Sequence, residues 1–360
     1  MSAPTRTANS ARAVQVWSVT AVDASTTSGE PTRIVVTNVT CITHPKSTPS
    51  GSVFSTVGTS DGTARCGKRL AVSRAKCATR TGKAQARPRS DMPTVRDLQA
   101  MAGEEPITML TAYDAVTASI VDDTGVDVIL VGDSMGNAVL GHDDTLPVTL
   151  DEMASRVGAV ARGADDALVV ADMPFLSFGA DESESIQNCG RMLKEEGANA
   201  IKLESGPHTV ELTERLTELG IPTMAHLGLT PQSVNQTGYT RQATGREEAE
   251  EILDLAREHE AAGAFALVLE HIPANLAAKV TEAVDIPTIG IGAGGDCDGQ
   301  VLVFTDVVGL SESSPPFAEQ FGDVRGEVAD AVDEYIDAVE SGEFPRESHS
   351  HTEDELDDLY

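Results

Sequence analysis

Ionisable side chains stand at the ends of successive short apolar runs. Asp133 follows Leu130-Val131-Gly132 and Asp172 follows Val169-Val170-Ala171. Lys202 and Glu204 lie within Ala200-Ile201-Lys202-Leu203-Glu204, His226 within Ala225-His226-Leu227-Gly228, and Glu270 closes Val268-Leu269-Glu270. One such Asp is ordinarily a helix cap or a loop hydrogen bond. Several on consecutive runs mark a site, because isolated buried charges are too costly to be placed repeatedly without use. Asp133, Asp172 and Glu204 make an oxygen-rich set with few competing thiols or imidazoles, which favours Mg2+ over Zn2+. A metal held by two carboxylates keeps positions open. It can chelate a 2-oxo acid through its carboxylate and keto oxygens and act as a Lewis acid for the enolate left by proton loss. Lys202 then neutralises the substrate carboxylate, the plainer reading being an ion pair with Glu204 or an Asp. Glu270 follows an apolar stretch, where partial desolvation strengthens a general base. Its plainer reading is a rim ion pair with Arg241 or Arg246. His142 falls in a loop, His259 on a helix surface, and His271 turns away from Glu270 by strand parity. The glycines of 289–294 either permit tight packing or admit a ligand to backbone N–H groups.

These residues need a frame that brings strand ends together. Eight apolar runs read as strands: 107–113, 127–133, 168–174, 200–204, 222–228, 266–272, 287–294 and 301–309. Most are rich in Val, Ile and Leu, as a buried parallel sheet requires. Amphipathic stretches at 180–196, 209–219, 247–262 and 274–284 alternate with them, while the gap before the last strand is too short for a helix. Alternating βαβ units of this number and span predict an α/β fold, a closed (β/α)8 barrel, with its site at the C-terminal strand ends. An open doubly wound sheet is disfavoured, because no Gly-rich phosphate loop follows the first strand. Alternation along a strand groups Lys202 with Glu204, Asp133 with Val131, Asp172 with Val170, and Glu270 with Val268, and points these charges at the barrel mouth.

The chain of 360 residues carries a net charge of -31, unevenly spread. Residues 1–91 hold 13 Lys plus Arg against 4 acids, so the remainder sits at -40 and keeps three lysines, Lys194, Lys202 and Lys279. Such an acidic, Lys-poor surface excludes nucleic acid as a partner and suits a salt-rich cytoplasm. The five cysteines form no zinc or disulfide pattern, and no apolar run is long enough for a membrane helix. Residues 1–91, rich in Ser, Thr, Ala and Arg, read as an extension ahead of a start at Met92. A basic tail and a transit peptide are the alternatives. The barrel is expected over 92–345, and 346–360 as a frayed acidic tail.

The motifs together resemble the ketopantoate hydroxymethyltransferase family. They are Thr111-Ala112-Tyr113-Asp114, Leu130 to Ser134, Gly141 to Thr149, Ala171 to Phe175, Lys202-Leu203-Glu204, His226 to Ser233, Val268 to Glu270, Gly290 to Gly294 and Asp298 to Val303. The resemblance runs from about Met92 to His349 and implies a barrel of the phosphoenolpyruvate/pyruvate type. It also implies transfer of a methylene group from 5,10-methylenetetrahydrofolate, or a related pterin, to 3-methyl-2-oxobutanoate in pantothenate and coenzyme A biosynthesis. By motif, Asp133 and Asp172 become Mg2+ ligands, with Glu204 supporting the metal through water. Ser134 and Lys202 hold the keto-acid carboxylate, His226 contacts the new hydroxymethyl group, and Glu270 removes the C3 proton. A cytoplasmic homo-oligomer, decameric in the family, is implied too. The chain departs from the family pattern at 236–246, and at Pro316, where a basic residue is common. Both departures bear on folate and subunit contacts more than on the metal site. Two rivals stay open: a related carbon–carbon lyase for another 2-oxo acid, and a keto-acid and metal binder without catalysis.

Overall fold

The computed structural model describes residues 93–353, together with a two-residue antiparallel ladder, Val16–Trp17 with Cys41–Ile42, that belongs to a separate unit. The readings of the 1–91 extension and of the end of the acidic tail otherwise lie outside the described residues.

Eight parallel strands close into a barrel: β1 Ile107–Thr111, β2 Val128–Val131, β3 Leu168–Asp172, β4 Ala200–Glu204, β5 Thr223–Gly228, β6 Ala266–Glu270, β7 Thr288–Ile291 and β8 Gly299–Leu302. Neighbours in sequence are neighbours in the sheet, and β8 returns to β1 with Gly299 opposite Ile107. That closure needs glycine, because a Cβ at Gly299 would sit 2.7 Å from both the Ile107 Cβ and the Ile289 Cδ1. The barrel interior is filled by one parity of each strand, including Met109, Leu130, Val170, Met224, Val268 and Ile289. The other parity packs outward on helices: Ile129, Val131, Ile201 and Leu203 join Met153, Val157 and Leu216 of the shell.

The last strand lies earlier than the 301–309 run. The chain pairs from Gly299 and turns into a short helix at Phe304–Val307. An apolar run buried on a helix carries no period that distinguishes it from a strand. The helices otherwise follow the amphipathic stretches: α1 Val95–Met101, α2 Ala115–Asp122, α3 Met135–Ala138, α4 Leu150–Gly163, α5 Glu182–Lys194, α6 Val210–Glu218, α7 Val234–Thr237, α8 Arg246–Ala261, α9 Ala274–Ala283, α10 Phe304–Val307 and α11 Val324–Glu340. Local chemistry starts several of them. Asp114 accepts from the N–H groups of Val116 and Thr117 at the head of α2, and Thr149 and Glu152 form a reciprocal cap on α4. Beyond α11, Glu347–His349 form a helical turn, and the His349 ring lies 5.3 Å from that of Phe344.

His259 is a correction. It is fully buried rather than on a helix surface, because it shares the inner face of α8 with Leu255 and Ala256. The Thr213 hydroxyl donates to the Thr209 carbonyl, so at 3.2 Å it receives the ring proton from His259 Nδ1. Burial lowers the imidazole pKa from 6.5 to about 4. The unfolded chain therefore takes up this proton first as pH falls. The stability from the neutral ring is complete above about 6.5 and is lost on the way down to about 4, on the order of 3 kcal/mol in all. Urea unfolding at pH 7 and pH 5 is expected to show a smaller drop for His259→Gln than for the parent chain. Equal drops would remove His259 as the source.

Candidate active site

Strand register assembles the site. Asp172 on β3 is the Cα partner of Lys202 on β4, and Glu204 is the partner of His226 on β5. Gly228 pairs with Glu270 on β6. All of these follow the interior parity, and four are sealed from solvent, with relative exposures of 2% to 6% for Asp172, Lys202, Glu204 and His226. Glu270, at the strand tip, keeps 17% side-chain exposure. Gly228 allows this crowding at the mouth, since its φ is +100° and a Cβ there would collide with the Glu270 carbonyl.

Asp133 arrives by a different route than strand alternation. Val131 faces the helical shell, so simple parity with it would turn Asp133 outward. Strand β2 ends at Val131, and the turn through Gly132 swings Asp133 inward to 4% exposure. There its N–H donates to Asp172 Oδ2 at 3.2 Å.

A line of contacts crosses the mouth. Lys202 Nζ is 2.7 Å from Asp172 Oδ1 and 3.4 Å from His226 Nδ1, and His226 Nε2 is 3.2 Å from Glu270 Oε2, bent from ideal hydrogen-bond alignment. An ammonium only donates, so His226 Nδ1 accepts and the ring proton lies on Nε2, beside Glu270. Burial lowers the His226 pKa and the charge of Lys202 lowers it further, which keeps the ring neutral. Burial would also pull Lys202 down, but Asp172, Asp133 and Glu204 outweigh it and hold the ammonium above its ordinary value. Arg246, the alternative partner for Glu270, is taken by Glu250 at 2.8 Å.

One side chain that the sequence pattern did not single out ties the acids together. Gln232 Nε2 donates to Asp133 Oδ2 and to the Met173 carbonyl, each at 2.9 Å, while the Gln232 N–H donates to Glu204 Oε2 at 2.9 Å. It belongs to the loop after β5, within a motif already noted, but a Gln in a loop has no period to mark it. Tyr113 is similar: its hydroxyl lies 3.0 Å from Ser134 Oγ, and burial raises its pKa to about 12, so it stays protonated.

Other acids are structural. Asp122 accepts from the N–H groups of Asp165, Asp166 and Ala167, and Asp298 from those of Gly103 and Thr288. The site acids face each other instead. Burial raises the Asp133 carboxyl pKa and Asp172 adds to the rise; burial raises Glu204 and Asp133 adds to it. Four carboxylates share one ammonium. This crowded, all-oxygen set suits a hard divalent cation, which would relieve the repulsion. Among the described residues no group of three or more His, Cys, Asp and Glu side chains is placed to hold a metal ion by itself. A metal here would depend on Asp133 and Asp172, with further oxygens from substrate or water.

A cavity of about 520 Å3 opens above this cluster, lined by Ser134, Tyr239, Glu270, His271, Asp306 and Phe317 among others. Parity therefore misled for His271. The strand stops at Glu270, and His271 takes φ +49°, which brings it onto the same wall as Glu270. In the glycine run, Gly292 admits a side chain and not a ligand: a Cβ there would lie 2.9 Å from the Phe317 ring.

A family model described as Ketopantoate hydroxymethyltransferase matches residues 92–347. Proteins named 3-methyl-2-oxobutanoate hydroxymethyltransferase align along nearly their whole length. That of Halobacterium salinarum is 69% identical over 274 residues, covering 75% of this chain and 100% of the relative. That of Natronomonas pharaonis is 68% identical over 265 residues, covering 74% and 99%, and that of Geobacter sulfurreducens 50% over 260 residues, covering 71% and 97%. Among solved structures, phosphonopyruvate hydrolase aligns with a TM-score of 0.49 at 12% identity, over 73% of this chain and 93% of that one. A 2,3-dimethylmalate lyase described as a PEP mutase/isocitrate lyase superfamily member gives 0.45 at 17%, over 74% and 94%.

Proposed function

Because the chain belongs to the ketopantoate hydroxymethyltransferase family, we infer that it is the enzyme that transfers a one-carbon unit to 3-methyl-2-oxobutanoate, giving 2-dehydropantoate. The observation that carries the mechanism is the line Asp172, Lys202, His226, Glu270 across the barrel mouth.

Lys202 and Ser134 hold the substrate carboxylate. Glu270, the partly exposed acid beside the cavity, takes the proton from C3. The C3 electron pair then forms the bond to the methylene carbon of 5,10-methylenetetrahydrofolate. The donor's two carbon–nitrogen bonds break with their electrons to nitrogen, water supplies the hydroxyl, and the proton taken from C3 and the second proton of water go to those two nitrogens. His226 directs Nε2–H toward Glu270 and toward the oxygen that the transferred carbon acquires. Its neutrality matters, because an imidazolium would form an ion pair with the base and weaken it. A Mg2+ ion held by Asp133 and Asp172, with Glu204 behind them, would supply Lewis-acid polarisation of the keto oxygen. Gln232 holds Asp133 by Oδ2 and Glu204 by its backbone, so these carboxylates are oriented before any ligand arrives.

The catalytic unit is taken as 92–345, followed by a short acidic tail, in a cytoplasmic enzyme. Assembly into a homo-oligomer is supported by α11. It buries none of its residues, and Val328, Val332 and Ile336 form a row along one face at 51%, 50% and 43% exposure.

The test is proton exchange. The protein is incubated with Mg2+ and 3-methyl-2-oxobutanoate in D2O, and the C3–H signal is followed by NMR. Metal-dependent loss of that signal is expected without any donor. A folded protein that shows no exchange, with or without 5,10-methylenetetrahydrofolate, would sink the reading.

A further inference from the structure

We propose that the cavity at the barrel mouth is the ring subsite of the one-carbon donor, which takes the flat face of a pterin against the His271–Phe317 wall and leaves the anionic tail unread. The proposal rests on the function inferred above and adds where, and by which chemistry, the donor is recognised.

The wall is built at a cost. His271 adopts a left-handed backbone, which a residue with a Cβ rarely does, and it is pinned there from both sides. Its N–H donates to the Ile291 carbonyl at 2.8 Å, and its carbonyl accepts from the Gln242 N–H at 3.1 Å. The result sets its ring centroid 5.3 Å from that of Phe317, tilted by 44°. Phe317 in turn occupies space that exists only because residue 292 is glycine. Tyr239 lies on the same cavity. Its hydroxyl pKa is raised by burial and then by Asp144, Asp133, Glu204 and Glu270, which places it within the field of the acid cluster.

The shape and chemistry fit one class of ligand. A volume of about 520 Å3 suits a fused bicyclic ring with its immediate substituent, and aromatic walls bind such a ring by its face. Asp306, 7% exposed, is a wall carboxylate whose Oδ1 accepts from Ser314 Oγ at 3.0 Å. A carboxylate complements the amino-amide edge of a pterin, which presents N–H donors. Glu270 lies on the same cavity, so a ring held here has its methylene carbon beside the atom from which the base takes the proton.

No Lys or Arg occurs among the described residues lining the cavity. A glutamate tail, single or extended, therefore finds no cation there. Tyr239 and Pro316 both lie on this cavity, and neither carries a positive charge.

The experiment is steady-state kinetics of the full chain with Mg2+ and 3-methyl-2-oxobutanoate, with 5,10-methylenetetrahydrofolate supplied as the monoglutamate or the pentaglutamate. The two donors are expected to have KM values within about threefold of each other. Phe317→Leu keeps bulk on Gly292 and loses the aromatic face; it is expected to raise the donor KM about tenfold, with the keto-acid KM unmoved. Pro316→Lys is expected to lower the pentaglutamate KM severalfold more than the monoglutamate KM. A wild-type preference of tenfold or more for the pentaglutamate would overturn the proposal, as would a donor KM indifferent to Phe317→Leu. If donor-free C3–H exchange is present in those cases, the family function stands and only the subsite falls. If exchange and product are both absent, the function itself is at fault.

Discussion

Glu270→Gln is expected to lower kcat by about 10^2 to 10^4, the range a positioned general base supplies, with the KM for 3-methyl-2-oxobutanoate nearly unchanged. The amide keeps the size of the carboxylate and its contact with His226, so the cavity retains its shape. What it loses is the ability to accept a proton from C3. The same variant should show no C3–H exchange in D2O, which separates a failed proton transfer from a failed donor step. Residual exchange above a tenth of the parent rate would assign the base elsewhere, and Tyr239 would be the next group to replace.

The second large effect is expected at Asp133. Asp133→Ala should abolish Mg2+ binding measured by calorimetry, a loss beyond the roughly 10- to 100-fold typical of a residue that only supports a ligand. Gln232→Met provides the comparison. It removes the side-chain donor to Asp133 Oδ2 and leaves the backbone bond to Glu204, so its loss should stay inside that 10- to 100-fold range. Two variants with equal Mg2+ affinity would mean that Asp133 is not a direct ligand.

The barrel and the clustering of most candidate residues were legible because both obey short-range rules. Lys202, Glu204 and Glu270 sit within strands, where a period of two fixes the face, and adjacent parallel strands place Asp172 beside Lys202 without further information. The rule failed where strands ended. Asp133 and His271 lie one or two residues past a strand, and their direction is set by a turn at Gly132 and by a left-handed backbone, neither of which alternation describes. Gln232 was hidden for a related reason: its value comes from two acids on other strands, and only the folded loop brings them to it. His259 shows the reverse error, where a polar residue type was given more weight than its position beside Leu255 and Ala256. The eighth strand moved because Val, Leu and Phe around 301–307 suit a buried helix as well as a strand.

The molecule holds two populations of charge that answer differently to electrolyte. One covers the outside of a chain segment at -40; the other is the sealed set of Lys202, Asp172 and their neighbours, at 2% to 6% exposure. At 1 M salt the screening length shrinks to about 3 Å, which silences repulsion between surface acids but screens pairs buried away from bulk solvent much less. Raising KCl should therefore lift the thermal midpoint steeply while leaving the affinity for the keto acid almost flat. On this expectation the response to salt is confined to the acidic surface, and the chemistry of the sealed set is left as it was.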